Sequence, residues 1–239
     1  MIKAITFDLW NTVIKNKFYS NERINFFLDI LKKKNIDLSY ETIKNAFEKV
    51  FYFHDINLKE IKYRHMHTKE RLENLLNFLD LELNKKIKEE IKEQFESILL
   101  QDPPELRKGV KETLKKLSEN YKIGLISNTG VTPGPILSKA LEKRGILKYF
   151  DSTSYSDEIG VYKPHKRIFK ETLKNLQCKP KQSIHIGDIL ETDIQGAKRF
   201  GMKAILIRDS KFENPHKIEP DYEIFEIPEV IEIVREIEV

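Results

Sequence analysis

The sequence holds a single cysteine, Cys178, among 239 residues. That excludes a disulfide framework and a multi-cysteine zinc site, and it suggests a reducing compartment. Glycine and proline number nine each, which excludes collagen-like and low-complexity chains. No apolar run has the length of a membrane helix; the longest are strand-sized. The opening residues, Met1-Ile2-Lys3-Ala4-Ile5-Thr6-Phe7-Asp8, turn acidic too soon for a secretory leader. The expected location is therefore cytoplasmic. An excess of one charge sign is missing too: 42 Lys and Arg against 38 Asp and Glu leave a net +4. This balance gives no case for a nucleic-acid or membrane partner and suits a small anionic substrate. What the chain does have is 40% hydrophobic residues, including 14 Phe and 9 Tyr. That is enough for a sizeable core and argues against global disorder. Monomer and homodimer remain equally open at this level.

The pattern along the chain changes twice. Residues 2–7 are short, apolar and β-branched, and read as a buried strand ending at Asp8. From about residue 20 to 100 the text is helical. Ile24, Phe27, Leu28 and Leu31 share one face, as do Ile43, Phe47, Val50 and Phe51. Leu72, Leu75, Leu76 and Leu79 make a third stripe, and Ile87, Ile91, Phe95 and Ile98 a fourth. Breaks fall near Asn35-Ile36-Asp37, Asp55-Ile56-Asn57 and Leu83-Asn84, with Ser39 and Asn84 placed to cap helices. A small helical bundle is expected. Asp102-Pro103-Pro104 ends it, since consecutive prolines cannot continue a helix.

Beyond that point strands and helices alternate. Helices are predicted over 110–117, 136–143, 168–176 and 194–200, and strands over 122–126, 150–154, 183–186, 203–207 and 222–225, with a closing helix from Pro228. Such alternation predicts an α/β fold, a doubly wound parallel sheet with helices on both faces. The expected division is a core of residues 1–14 and 104–239 with an inserted α-helical bundle over 15–103. The insertion leaves from the carboxyl end of a strand, where such sheets place ligands, so it would act as a lid.

Three predicted strand ends carry polar residues that a packed sheet does not need. They are Asp8-Leu9-Trp10-Asn11-Thr12, Ser127-Asn128-Thr129-Gly130, and Gly187-Asp188 with Asp193 five residues on. Side by side, Asp8, Asp188 and Asp193 would crowd, and two carboxylates about 4 Å apart repel by roughly 4 kcal/mol at intermediate dielectric. A proton or a cation must relieve that. Oxygen ligands of this kind suit Mg²⁺. Lys163, in Gly160-Val161-Tyr162-Lys163-Pro164, would neutralise a carboxylate and an incoming anion. Ser127, Thr12 and the backbone N–H groups after Asp8 would donate hydrogen bonds to that anion.

This constellation resembles the haloacid dehalogenase-like hydrolase superfamily. The likeness covers about residues 1–14 and 104–210. Phe7-Asp8-Leu9-Trp10-Asn11-Thr12 is similar to the motif with the nucleophilic aspartate, and Ile126-Ser127-Asn128 to the Ser or Thr motif. Lys163-Pro164 matches the lysine, and Gly187-Asp188 with Asp193 matches the acidic metal motif. The resemblance implies a Rossmann-like core with a helical cap. It also implies catalysis by Asp8, Ser127 and Lys163, and substrate contacts from Trp10, Thr12 and Asn128. Mg²⁺ would be held by Asp8, Asp188, Asp193 and the Trp10 carbonyl.

One position departs from the phosphatase pattern. Where those enzymes carry a second aspartate as general acid and base, this chain has Trp10. Indole has no proton to give, and losing such a catalyst costs about 10²–10⁴-fold. Haloacid dehalogenases also place an aromatic residue there but replace the metal-binding acid, which this chain keeps as Asp188. The metal site weighs more. The expected activity is Mg²⁺-dependent hydrolysis of a small phosphate ester or acyl phosphate. The alternatives are a metal-free 2-haloacid dehalogenase and a member whose catalysis has decayed into binding.

Other polar residues read more plainly. Asp193 would double as the N-cap of the helix after it. His65 and His67, two apart on a helix, would not face one ligand. His185 reads as a hydrogen-bonded core histidine, and His165 as a surface residue. Arg23, Arg64 and Arg71 lie in the insertion, where a solvated surface arginine is the plainer expectation and a pocket-facing arginine that binds a carboxylate or phosphate the alternative.

Overall fold

The computed structural model describes residues 1–52, 62–208 and 217–238. The chain enters at β1 (Ala4–Phe7), a strand buried along its whole length. The insertion follows, with α1 (Ser20–Lys32), α2 (Tyr40–Phe47), α3 (Thr68–Phe78) and α4 (Lys85–Ser97). Then come α5 (Val110–Leu117), β2 (Lys122–Ser127), α6 (Gly134–Lys143), β3 (Ser152–Tyr155) and the one-turn helix α7 (Ser156–Ile159). The chain closes with α8 (Lys166–Asn175), β4 (Ser183–Gly187), α9 (Gln195–Phe200), β5 (Lys203–Ile207), β6 (Tyr222–Ile224) and α10 (Val230–Glu238).

The six strands form one sheet in the order β3-β2-β1-β4-β5-β6, every pair parallel. Both faces are covered, as a parallel sheet requires. One face packs Ile5, Phe7, Ile184 and Ile186 against Leu114, Leu137, Leu141, Val230 and Val234. The other packs Ala4, Ile126, Ala204 and Leu206 against Ile168, Phe169, Leu173, Ile194 and Ala197. The doubly wound expectation holds, and the strand order reverses at β1. The carboxyl ends of β2, β1 and β4 lie side by side there, which is where open α/β sheets bind ligands.

The inserted helices have their own core. Phe47, Phe51 and Phe27 surround Phe95, with the Phe47 and Phe51 rings stacked 4.0 Å apart. Burying each such ring is worth about 1.5–3 kcal/mol. The caps are as the sequence predicts: Ser39 Oγ accepts from Thr42 N at 3.1 Å, and Asn84 Oδ1 accepts from Ile87 N at 3.1 Å. α2 runs on into a π-helical turn, Glu48–Tyr52, that carries Phe51 to its stacking partner. The predicted break at Asp55-Ile56-Asn57 lies outside the described residues. No helix among the described residues is long and apolar enough to cross a membrane.

Two sets of contacts tie the insertion to the sheet layer. At its base the outgoing and returning chains cross as an antiparallel pair: Lys15 N donates to Glu105 O at 2.8 Å and Arg107 N to Val13 O at 3.0 Å. The Lys15–Glu105 and Lys17–Asp102 ion pairs flank this crossing and are exposed. Each is worth about 0–1 kcal/mol at most. Farther out, Arg64 bridges Val161, His65 N donates to Gly160 O at 3.0 Å, and Tyr162 N donates to Tyr63 O at 2.7 Å. That second seam ends one residue before Lys163.

Candidate functional site

Asp8 follows β1 directly, and its backbone N continues the ladder to Ile186 O at 2.8 Å. The chain then turns sharply, with Asn11 in the left-handed region at φ 56°. Val13 N and Ile14 N both return to Leu9 O at 2.9 Å. Arg107 donates to the Asn11 carbonyl and fixes the loop from outside. Within this turn Thr12 is fully buried, and its hydroxyl has no partner among the described residues. A buried hydroxyl left open is costly unless something else takes it.

Lys163 reaches the same point from the loop before α8. Its ammonium, almost wholly buried, donates to Asp8 Oδ1 at 2.5 Å, Asp193 Oδ1 at 2.6 Å and Ile126 O at 2.9 Å. All three Lys donors are thereby used. Burial pulls the Lys163 pKa down, but the Asp193 and Asp8 charges outweigh it and hold the ammonium charged. Asn128 fixes the backbone of Lys163 from β2: its Oδ1 accepts from Lys163 N at 2.6 Å and its Nδ2 donates to Lys163 O at 3.3 Å. Ser127, buried at the end of β2, donates to the Asn128 carbonyl at 3.3 Å.

Asp193 sits in a π-helical turn, Leu190–Ile194, rather than at the cap of the next helix. Its Oδ2 turns back to accept from Ile189 N at 3.0 Å, and its Oδ1 faces Lys163 and His185. The N-cap expectation is thus corrected: the carboxylate is tied to the loop before it. Gly187 makes room for this turn, because a Cβ there would lie 2.4 Å from Asp193 Cγ.

One oxygen each from Asp8, Asp188 and Asp193 falls within 4.8 Å of the others. Their protons divide unevenly. Burial raises the Asp8 pKa to about 6 against the pull of Lys163. Burial and the neighbouring Asp8 and Asp193 charges raise Asp188 to about 8. Asp193 goes the other way: burial is overcome by Lys163 and His185, which hold it well below the usual carboxylate range. One ammonium cannot balance three carboxylates, and Asp188 carries the excess. An all-oxygen donor set with surplus negative charge fits a hard dication such as Mg²⁺.

A cavity of about 240 Å³ lies between the inserted helices and the loops after β1 and β2, and none of Asp8, Lys163, Asp188 and Asp193 lines it. Trp10, Tyr19, Phe47 and Asn128 line it together with Arg23 and Arg71. The reading of those two arginines as solvated is overturned: they are only 7% and 1% exposed. Arg23 donates to Phe95 O at 2.9 Å and Thr132 Oγ1 at 3.0 Å, and Arg71 to Phe51 O at 3.1 Å and the Tyr162 hydroxyl at 2.9 Å. Helical phase carried the missed signal, since Arg23 lies four residues before Phe27 and Arg71 four before Leu75. Arg64 does face solvent, paired with Glu70 at 2.7 Å.

The histidine readings divide. His65 and His67 precede α3 rather than lie on it, and their rings meet edge to face at 4.7 Å. His65 is buried against Ser156 Oγ at 3.1 Å. His165 is half-buried and caps α8 by accepting from Arg167 N at 3.2 Å. His185 is a buried, hydrogen-bonded core residue as expected.

Comparison with known proteins gives the family and the fold. Residues 2–201 match the family model described as haloacid dehalogenase-like hydrolase. Glyceraldehyde 3-phosphate phosphatase of Methanopyrus kandleri is 39% identical over 101 residues, which is 41% of this chain and 43% of that protein. The protein of the same name from Pyrococcus furiosus is 36% identical over 128 residues, 51% of each chain. The chain thus spans about half the length of the curated relatives it matches. Two solved structures share the fold over nearly the whole chain. A 2-haloacid dehalogenase from Pseudomonas syringae has a TM-score of 0.75 at 21% identity, covering 99% of both chains. A phosphatase from Thermococcus onnurineus has 0.64 at 24%, covering 98% of both.

Proposed function

Because the chain belongs to the haloacid dehalogenase-like hydrolase family, we propose that it hydrolyses a small phosphate ester or acyl phosphate, with Asp8 as the nucleophile. The observation that carries this reading is the buried cluster in which Lys163 holds Asp8 and Asp193 beside a third acid, Asp188. A dehalogenation that proceeds without a metal has no use for Asp188. A phosphohydrolase has, because the substrate brings further negative charge.

Mg²⁺ would be held by Asp8, Asp188, Asp193 and the Trp10 carbonyl, and when bound it would neutralise the transferring phosphoryl group. The chain's own residues do the rest. The Asp8 carboxylate attacks phosphorus, the bond to the leaving oxygen breaks, and an aspartyl-phosphate results. Lys163 and the Ser127 and Thr12 hydroxyls oppose the charge on the phosphoryl oxygens. Water then attacks that phosphorus, releases phosphate and restores Asp8. Trp10 stands in the usual place of the proton donor and lines the cavity. The leaving group must therefore depart as a weak base, as from acyl or aryl phosphates. Residues 15–103 serve as the cap domain over the core of 1–14 and 104–239, and their side of the cavity chooses the substrate.

Trp10 also favours a second reading, 2-haloacid dehalogenation, in which Asp8 displaces halide from carbon. The separating experiment measures phosphate release from an aryl phosphate, with Mg²⁺ and with chelator, in wild type and Asp8→Asn. Release that needs Mg²⁺ and is lost in Asp8→Asn is the expected result. No phosphate release together with halide release from a 2-haloacid would replace this reading by the second.

A further inference from the structure

His185 lies directly across from Thr6 in the register of β1 and β4, with no exposure to solvent. Its Nδ1 is 2.9 Å from Thr6 Oγ1, and its Nε2 is 3.3 Å from Asp193 Oδ1. That same carboxylate oxygen is 2.6 Å from Lys163 Nζ. The Phe169 ring stands edge to face against the imidazole at 5.5 Å. An aliphatic side chain would fill this place in the sheet at a lower desolvation cost. The imidazole is held instead by a polar contact at each end.

The proton arrangement follows from its neighbours. A bare Nε2 would aim a lone pair at a buried carboxylate oxygen, so Nε2 must carry hydrogen. Thr6 accommodates either state of Nδ1, because its hydroxyl can donate to Nδ1 or to Ile184 O at 3.2 Å. Asp193 then receives three hydrogen bonds from three directions: Ile189 N on Oδ2, and Lys163 and His185 on Oδ1. Without His185 the carboxylate keeps one hydrogen bond on each oxygen, from Lys163 and Ile189 N, and loses the third that braces Oδ1 where Lys163 binds it.

We propose that His185 is a positioning residue, whose Nε2–H fixes the Asp193 carboxylate and through it the Lys163 ammonium against Asp8. The proposal rests on the reading of Asp8 and Lys163 as catalytic groups, and the relay Thr6–His185–Asp193–Lys163 is its content. His185 touches no reacting atom. Its loss is expected in kcat more than in KM, since it governs the placement of a charge rather than the cavity wall.

The test has two arms on the full chain. In the first, ring-¹⁵N NMR reads which nitrogen of His185 bears hydrogen in the wild-type protein, with His185→Gln used to assign the signal. Hydrogen on Nε2 is expected, and hydrogen on Nδ1 alone overturns the proposal whatever the enzyme's activity. In the second, His185→Leu and His185→Gln are compared with wild type on an aryl phosphate. His185→Leu should lower kcat about 10–100-fold, the usual effect of losing an outer-shell partner. KM should stay within about threefold of wild type. His185→Gln, whose amide can still donate towards Asp193, should recover most of that loss. Equal kcat in the leucine variant and wild type, or equal losses in both variants, would mean a packing role only and overturn the proposal. A wild type that releases no phosphate would refute the functional reading instead, and the NMR arm would still decide the placement of the proton.

Discussion

Lys163 shares one charge between two carboxylates, and the third acid, Asp188, is left to bear the crowding. This sets a pH dependence whose sign can be worked out for protein stripped of divalent cations. Asp188 is raised from 3.8 to about 8 by burial, Asp8 and Asp193, and Asp8 is raised to about 6 by burial. Across that window Asp188 and Asp8 hold more protons in the folded chain than in the unfolded one, so their part of the stability falls as pH rises, while His185, held low by burial, offsets some of this at the acid end. Asp193 is shifted the other way, so its contribution is complete across the window and fades only in stronger acid. Thermal melting with chelator should show the decline, and Asp188→Asn should flatten it. Mg²⁺ should raise the melting temperature more at about pH 8 than at about pH 5, where protons compete for the same oxygens. An equal Mg²⁺ effect at both pH values would contradict the metal assignment.

At the scale of elements, the site depends on how closely the turn after β4 packs on the strand. Gly187 is the point of contact, with room for no Cβ beside Asp193. Gly187→Ala should push the π-helical turn Leu190–Ile194 outward and carry Asp193 away from Lys163. Displacements near 1 Å at a reacting site cost about 10²-fold, so turnover should fall by about that much. Steady-state kinetics on folded variant would check it, and near wild-type turnover would show that the turn tolerates the shift. The elements themselves were largely legible in the sequence. Apolar runs such as 203–207 read as buried strands, and Ser39 and Asn84 as caps, because those signals are local. The one-turn helix Ser156–Ile159 was not legible, being too short for any period to show. The cap expectation for Asp193 fails because its carboxylate turns back to Ile189 N and is shared with Lys163 and His185, which meet it only through the fold.

Across the whole molecule, the strand order β3-β2-β1-β4-β5-β6 brings the strand ends that carry Asp8, Ser127 and Asp188 side by side, although they are far apart in the sequence. Those residues were legible because each breaks an apolar pattern at the end of a strand. Arg23 and Arg71 were harder to read, because their charge masked a buried phase on the inserted helices, and their burial at the cavity shows which way they face. The central claim is that one carboxylate of this assembly forms a covalent bond to phosphorus. It is tested most directly by acid-quenching the enzyme during turnover of an aryl phosphate and locating the adduct by mass spectrometry. A single phosphoryl group on Asp8, absent in Asp8→Asn, is the predicted result. Phosphate release with no adduct on Asp8, or with the adduct on another residue, would contradict it.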